Sequence, residues 1–225
     1  MKRALFIACW KPQWIQMAEI AIRTFRAHNP EIHIDLMCDS SLAPLVTADV
    51  QVWTCPDCRS LQDVFMRKLI FFHFVHLKDD DKVMYVDSDI VTKKPCGHYF
   101  DVEFGAFQEA TTKSIWHSLP GFFEEELPAF NSGLMVFRAG AARSHYSRAA
   151  ELYLQNLGAT GEQAILNNVL LKNETIHFFD ADDILTFATY AEIEKAEGKI
   201  FIHLSGLGQS VETKLKFMSL YEHAA

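Results

Sequence analysis

The stretch that most constrains this chain is Lys82-Val83-Met84-Tyr85-Val86-Asp87-Ser88-Asp89-Ile90-Val91. Val83 to Val86 is an unbroken apolar run with β-branched and aromatic members, which predicts a short buried strand. Two carboxylates follow one residue apart, where that strand should end. In open α/β sheets, ligands bind beyond the carboxyl ends of the strands. Strand side chains alternate between faces, so Asp87 and Asp89 are expected on one side and Ser88 on the other. Two close carboxylates repel unless a cation lies between them. A hard divalent ion such as Mg²⁺ or Mn²⁺ suits oxygen ligands. The plainer alternative is an acidic turn that ends the strand.

With 225 residues, the chain predicts one domain over 1–225. An apolar fraction of 49% is ample for a core, and 22% charged residues is ordinary for a soluble protein. A net charge of -8 speaks against nucleic acid as a partner and gives no support to docking on an anionic membrane. Lys2-Arg3 before Ala4 to Trp10 is too short an apolar run for a signal peptide and reads as a first strand. Five cysteines, an odd number without framework spacing, suit a reducing cytoplasm. Cys55-Pro56-Asp57-Cys58 has no second pair, so it reads as two ordinary cysteines rather than a zinc or redox motif.

In chain order, strands are expected at Leu5–Cys9, Ile32–Met37 and Val50–Trp53, with a helix over Trp14–Ala27 closed by His28-Asn29-Pro30. An apolar helix is expected over Leu61–Leu77, with Phe71, Phe72 and Phe74 inside it. This βαβ alternation predicts a mainly parallel sheet flanked by helices. Later strands are expected at Phe104–Phe107, Leu134–Phe137, Ile176–Phe179 and Lys199–His203, with helices over Ala142–Leu157 and from Thr160 to Leu171. Thr111–Leu127 reads as a long loop or small insertion, and such loops are often functional.

Five blocks carry a resemblance. They are Phe65-Met66-Arg67-Lys68-Leu69, then the stretch Lys82–Asp89, then Phe130-Asn131-Ser132-Gly133-Leu134-Met135-Val136, then Gly161-Glu162-Gln163-Ala164-Ile165-Leu166-Asn167, and His203-Leu204-Ser205-Gly206. In this order they resemble glycosyltransferase family 8, and Trp14 with Arg23–Pro30 resembles that family's first helix. The resemblance implies the GT-A fold, a UDP-sugar donor, a glycan or glycolipid acceptor, Mn²⁺ and retention of anomeric configuration. Asp87, Asp89 and His203 would be the metal ligands, and a mixed oxygen and nitrogen set favours Mn²⁺ over Mg²⁺. Donor contacts would come from Ala8, Cys9, Trp14, Lys68, Ser88, Asn131, Gly206 and Gln209. Gln163 would lie at the anomeric face, with Glu162 binding donor or acceptor hydroxyls. Family members carry lysine where Gln209 stands, and Lys214 or Lys216 is the candidate replacement.

Other readings stay open. An inverting GT-A enzyme would need a carboxylate base, for which Glu162 or Asp182 is available. A non-catalytic sugar-nucleotide module is a second alternative. A phosphatase of the haloacid dehalogenase type would use Asp87-Ser88-Asp89 with Asp182-Asp183. The basic, apolar stretch Lys214–Met218 is either a packed terminal helix or a peripheral membrane contact. The sequence leaves sugar, acceptor and oligomeric state open.

Overall fold

The computed structural model describes residues 1–109, 129–156, 161–186, 194–205 and 210–223. The first half is the expected alternation. β1 (Lys2–Ala8) leads through α1 (Pro12–His28) to β2 (His33–Asp39), and β3 (Gln51–Cys55) leads through α2 (Leu61–Ile70) to β4 (Lys82–Val86). Pro12 occupies the first turn of α1, where its missing N–H costs nothing. Asn29 ends that helix: its backbone N–H and its side-chain amide both donate to the Phe25 carbonyl.

The second half adds β6 (Phe104–Gln108), β7 (Phe130–Arg138) and β8 (His177–Phe178) to a seven-stranded sheet of order β3-β2-β1-β4-β7-β6-β8. All pairs are parallel except those that β7 makes with β4 and β6. The sheet is therefore mainly parallel, as the alternation predicts. A second sheet of three short strands has the order β5-β10-β9, with β5 at Ile90–Thr92, β9 at Ile184–Thr186 and β10 at Phe201–His203.

Both faces of the large sheet are covered, which is why its strands read as continuous apolar runs. On one face Ala4, Phe6, Met84 and Val86 pack against Ile15, Ala18, Ile22 and Phe25 of α1 and against Phe201 and Ile202. On the other, Leu5, Ile7, Val83 and Tyr85 pack against α2, α3 (Ala139–Gln155) and α4 (Glu162–Asn173). α5 (Val211–His223) lies on α1, with Met218 and Tyr221 buried. The stretch Lys214–Met218 is thus part of a packed helix. Among the described residues, no helix is long and apolar enough to cross a membrane.

Several boundaries depart from expectation. The helix expected over Leu61–Leu77 ends at Ile70 and gives way to a 3₁₀ turn at Phe71–His73. Aromatic side chains lose rotamer freedom in an α-helix, and here packing takes over. The Phe71 and Phe72 rings lie 4.3 Å apart and meet Tyr146 at 5.1 and 5.6 Å. α3 starts before the expected Ala142, because the Ala139 and Gly140 N–H groups find the carbonyls of Asp81 and Asp79. β5 and β9 were not anticipated as elements, and α5 extends beyond the terminal helix considered for Lys214–Met218. Thr111–Leu127, Leu157 and Thr160 lie outside the described residues.

One buried ionic network ties the first strands together. Arg3 on β1 donates to both oxygens of Asp35 on β2, at 2.8 and 2.7 Å, and to Asp81 Oδ2 just before β4, at 3.2 Å. Trp53 Nε1 on β3 donates to Asp35 Oδ1 at 2.7 Å. Burial acts upward on the Asp81 carboxyl, but the Lys78 N–H, the Met1 ammonium and Arg3 together hold it below its ordinary value. A carboxyl depressed on folding stabilises above its unfolded pKa, about 3.9, and that contribution drains away as pH falls through the folded value. Asp81→Asn should therefore flatten the acid limb of the stability profile below about pH 4. Urea unfolding across pH measures this, and an unchanged acid limb would mean that Asp81 is not coupled to folding.

Candidate active site

In the order β3-β2-β1-β4, the chain winds outward in one direction from β1 and in the other from β4. Beyond the carboxyl ends of β1 and β4, where ligands bind in such sheets, lies a cleft of about 330 Å³. One end is apolar, walled by Ile7, Trp10, Trp14, Met17, Val64 and Phe65. The other end holds Lys68, Tyr85, Asp87, Ser88, Asp89, Glu162 and Lys214.

Asp87 and Asp89 do converge, though not through strand alternation. β4 ends at Val86, and Asp87 to Asp89 form a turn closed by the Ile90 N–H on the Asp87 carbonyl at 3.1 Å. Ser88 is consequently not turned away but lines the cleft. Register then brings the remaining groups. β10 runs antiparallel to β5 with His203 opposite Ile90, and the Leu204 N–H donates to the Asp89 carbonyl at 3.1 Å. His203 Nε2 therefore sits 3.4 Å from Asp89 Oδ1 and 3.9 Å from Asp87 Oδ2. Ligand atoms of Asp87, Asp89 and His203 all lie within 4.8 Å of one another.

Antiparallel pairing of β4 with β7 sets Val86 opposite Leu134, and the Asp87 N–H donates to the Gly133 carbonyl at 2.7 Å. A Cβ at position 133 would lie 2.6 Å from both Asp87 Oδ2 and His203 Cε1, so only glycine lets these two groups meet. Two carboxylate oxygens and an imidazole nitrogen gathered within 4.8 Å of one another fit a divalent ion.

Each acidic residue of the pair has its own ammonium group. Lys214 Nζ lies 2.6 Å from Asp89 Oδ2. Burial alone would raise the Asp89 carboxyl, but His203 and Lys214 outweigh it and hold it well below the usual carboxylate range. Lys68 Nζ is buried and donates to Asp87 Oδ1 at 3.3 Å, Ser132 Oγ at 3.1 Å and Glu162 Oε1 at 3.2 Å. Desolvation disfavours its charge, yet Asp87 and Glu162 more than compensate and raise its pKa. Tyr85 Oη donates to Asp87 Oδ1 at 2.5 Å, with Lys68 over its ring. Three carboxylates and two lysines leave this end of the cleft with one excess negative charge.

Other expected residues fall into different places. Gln163 lies behind Ser132: its Oε1 accepts from Ser132 N at 3.0 Å and its Nε2 donates to Glu109 Oε2 at 3.2 Å. A backbone donor on one side and a carboxylate on the other fix which way this amide points. Asn131 is also engaged within the protein, donating to Glu109 Oε2 at 2.9 Å and accepting from Gly133 N at 2.8 Å. Ala8 and Cys9 are fully buried, and the cleft wall at the end of β1 is made by Ile7 and Trp10 instead. Trp14 lines the apolar end, and its Nε1 is buried with no partner among the described residues. Gly206, Gly208 and Gln209 lie outside the described residues. Of the two candidate replacements for Gln209, Lys214 reaches the site and Lys216 is exposed. Asp182 and Asp183 do not line the cleft; Asp182 pairs with Lys199, and Asp183 accepts from the Tyr99 hydroxyl.

Sequence reasoning assigned no role to Tyr85, Trp10, Glu109 or Asn167. Tyr85 had a usable signal, since it lies two residues before Asp87 on the same strand face. Glu109 follows directly on the end of β6. Asn167 had none: it is fully buried, and its amide both accepts from Phe130 N and donates to Phe130 O, fastening α4 to the start of β7.

No family model and no curated protein sequence matches this chain. Solved structures do. The galactosyltransferase LgtC, in complex with donor and acceptor sugar analogs, superimposes with a TM-score of 0.70 at 12% identity, covering 99% of this chain and 95% of that one. An active-site mutant of LgtC, a glutamine replaced by glutamate, gives 0.68 at 12% identity over 97% and 95% of the two chains. The apo-form glycosyltransferase GlyE of Streptococcus pneumoniae TIGR4 gives 0.64 at 17% identity over 100% of this chain and 63% of that one. The chain has the GT-A fold of these glycosyltransferases, the fold that the resemblance to family 8 implies.

Lys68 generates the test of this geometry. Removing one partner of a buried ion pair leaves an uncompensated charge, at a cost of about 3–5 kcal/mol. Lys68→Met strands Asp87 and Glu162 together, so a loss of that size is expected in urea unfolding. A loss within roughly 0.5 kcal/mol, typical of surface substitutions, would show that the ammonium is not what holds the carboxylates in place.

Proposed function

We propose that this protein is a glycosyltransferase that moves a hexose from a UDP-sugar to a hydroxyl of a glycan or glycolipid, with retention of configuration. The observation that carries the reading is the meeting of Asp87, Asp89 and His203 beside Lys68 and Glu162, at the switch point of a GT-A sheet. The LgtC complex with donor and acceptor sugar analogs supports the same class of ligands here.

The two ends of the cleft suit the two halves of such a donor. Trp10 and Trp14 offer flat apolar faces for a base, and unpartnered Trp14 Nε1 offers a donor. The acidic end repels a diphosphate unless cations intervene. Asp87, Asp89 and His203 would hold Mn²⁺, with Mg²⁺ as the alternative, and the ion supplies Lewis-acid neutralisation of the diphosphate when bound. Lys214, from the final helix, adds a cation where Gln209 departs from the family pattern. Lys68 holds Glu162 and Asp87 in place, and Glu162 binds a sugar hydroxyl with its remaining capacity. Glu162 is the carboxylate nearest for an inverting mechanism, but it is already engaged by Lys68 and Ser132. We therefore favour front-face transfer, in which the leaving phosphate helps to deprotonate the acceptor.

Gln163 is held between Ser132 and Glu109, and its carbonyl dipole is fixed before any sugar arrives. Pre-organised dipoles near developing charge act strongly in a site that excludes water. The active-site glutamine of LgtC supports assigning this residue to the reaction. The protein is proposed to act as a single domain.

Two variants separate binding from chemistry. Asp89→Ala should abolish Mn²⁺-dependent UDP binding in calorimetry, whereas equal UDP affinity with and without Mn²⁺ in the unaltered protein would overturn the metal assignment. Gln163→Ala should lower kcat and kcat/KM together by about a hundredfold with little change in donor affinity. Full turnover by Gln163→Ala would move the reacting sugar away from the start of α4.

A further inference from the structure

The fold gives Cys55 and Cys58 a setting that their spacing alone does not reveal. Cys9 follows β1, Asp39 ends β2, Cys55 ends β3, and Cys58 lies just before α2. The carboxyl ends of three adjacent parallel strands thereby bring these side chains to one point. Cys9 Sγ lies 3.8 Å from Cys55 Sγ, and Cys55 Sγ lies 3.8 Å from Asp39 Oδ1. Ligand atoms of Cys9, Asp39 and Cys55 are all within 4.8 Å of one another, and the Cys58 backbone N–H donates to Asp39 Oδ2. All four residues are buried, and every cysteine is a free thiol.

We propose that Cys9, Asp39 and Cys55 form a structural site for one thiophilic divalent ion, with Zn²⁺ the best match. A tetrahedral zinc with Zn–S bonds of about 2.3 Å sets its sulfurs about 3.8 Å apart, the separation seen between Cys9 and Cys55. Two sulfurs and one carboxylate oxygen supply three of the four ligands, and the fourth position is open to Cys58 or to water. Asp39 is oriented for the task. Its Oδ2 accepts from Trp10 N at 2.7 Å and Cys58 N at 3.1 Å, which leaves Oδ1 turned toward Cys55. Such second hydrogen bonds hold a ligand carboxylate in its binding orientation. The site is separate from Asp87, Asp89 and His203, and its donors are soft where those are hard.

The ion would staple three loops that form the rear of the cleft. Trp10 is the residue most affected, because it adopts a φ of 85° and lines the apolar end. A bulky residue in that region is strained and persists only where its surroundings hold it. Asp39 does so through the Trp10 N–H, and a metal on the same carboxylate would make that hold permanent.

The experiment is an anaerobic titration of the metal-free, reduced full chain with Co²⁺, which replaces zinc and reports its ligands by colour. One equivalent should produce sulfur-to-cobalt charge transfer in the near ultraviolet and the strong visible bands of a tetrahedral site, and Zn²⁺ should bleach both. The signal should persist in Asp89→Ala and fall at least by half in Cys55→Ser. The unaltered protein carries the decisive readout, so a Cys55→Ser chain that fails to fold leaves the test intact. Cobalt bands without sulfur charge transfer would overturn the proposal, as would a Cys9–Cys55 disulfide found by peptide mapping of protein purified without reductant.

Discussion

The site rests on a buried ammonium ion. Lys68 comes from α2 and meets Asp87 after β4, Ser132 on β7 and Glu162 at the start of α4, so four separately folded segments share one charge. Without it, two carboxylates would face each other in a desolvated corner, where repulsion is scarcely screened. With it, the same corner becomes a rigid acidic surface. Lys214 repeats the device for Asp89 from the opposite side. The two aspartates are held in place because each has a cation that belongs to the protein, and a divalent ion entering between them would meet ligands already in position.

Around that centre, the cleft has an apolar and a charged end, each built from elements on both faces of the sheet. The apolar end comes from β1, the loop after it, α1 and α2, and the charged end from Lys68 of α2, β4 and the turn after it, α4 and α5. The boundary falls where β1 and β4 lie side by side, because their helical connections leave in opposite directions there and open a crevice. The small sheet serves this arrangement as well. Its short strands lend Ile90, Val91, Phe201 and Ile202 to the core, and pairing β10 with β5 delivers His203 to the acidic pair.

How much of this was legible in the sequence depends on the range of the interaction. β1, β2, β4 and β7 were legible because burial on both faces writes them as apolar runs. Asp87 and Asp89 stood out for their position after such a run, yet their convergence comes from a turn that strand periodicity cannot predict. His203 was marked by resemblance alone, since β5 and β10 are three residues each and carry no readable period. Of the two neighbouring cations, Arg67 turns to the Pro56 carbonyl, while Lys68 points inward. Asn131 and Gln163 illustrate the opposite case. A sequence shows an amide but not whether its hydrogen bonds are already spent, and here both amides are tied to Glu109. The end of α2 was missed because stacking among Phe71, Phe72 and Tyr146 decides it, and that contact spans a third of the chain.

The salt bridge from Lys214 to Asp89 has a kinetic corollary. It closes a separation of 125 residues, and the one from Lys68 to Glu162 closes 94. Contacts of such high order are made late, because loop-closure entropy is spent before they form. A chain that has built only its first βα units can bring Lys68 to Asp87, 19 residues away, but has neither Glu162 nor Lys214 in place. The acidic turn is left unfinished until α4 and α5 dock, and the cleft appears as one of the last events of folding rather than as a scaffold for it.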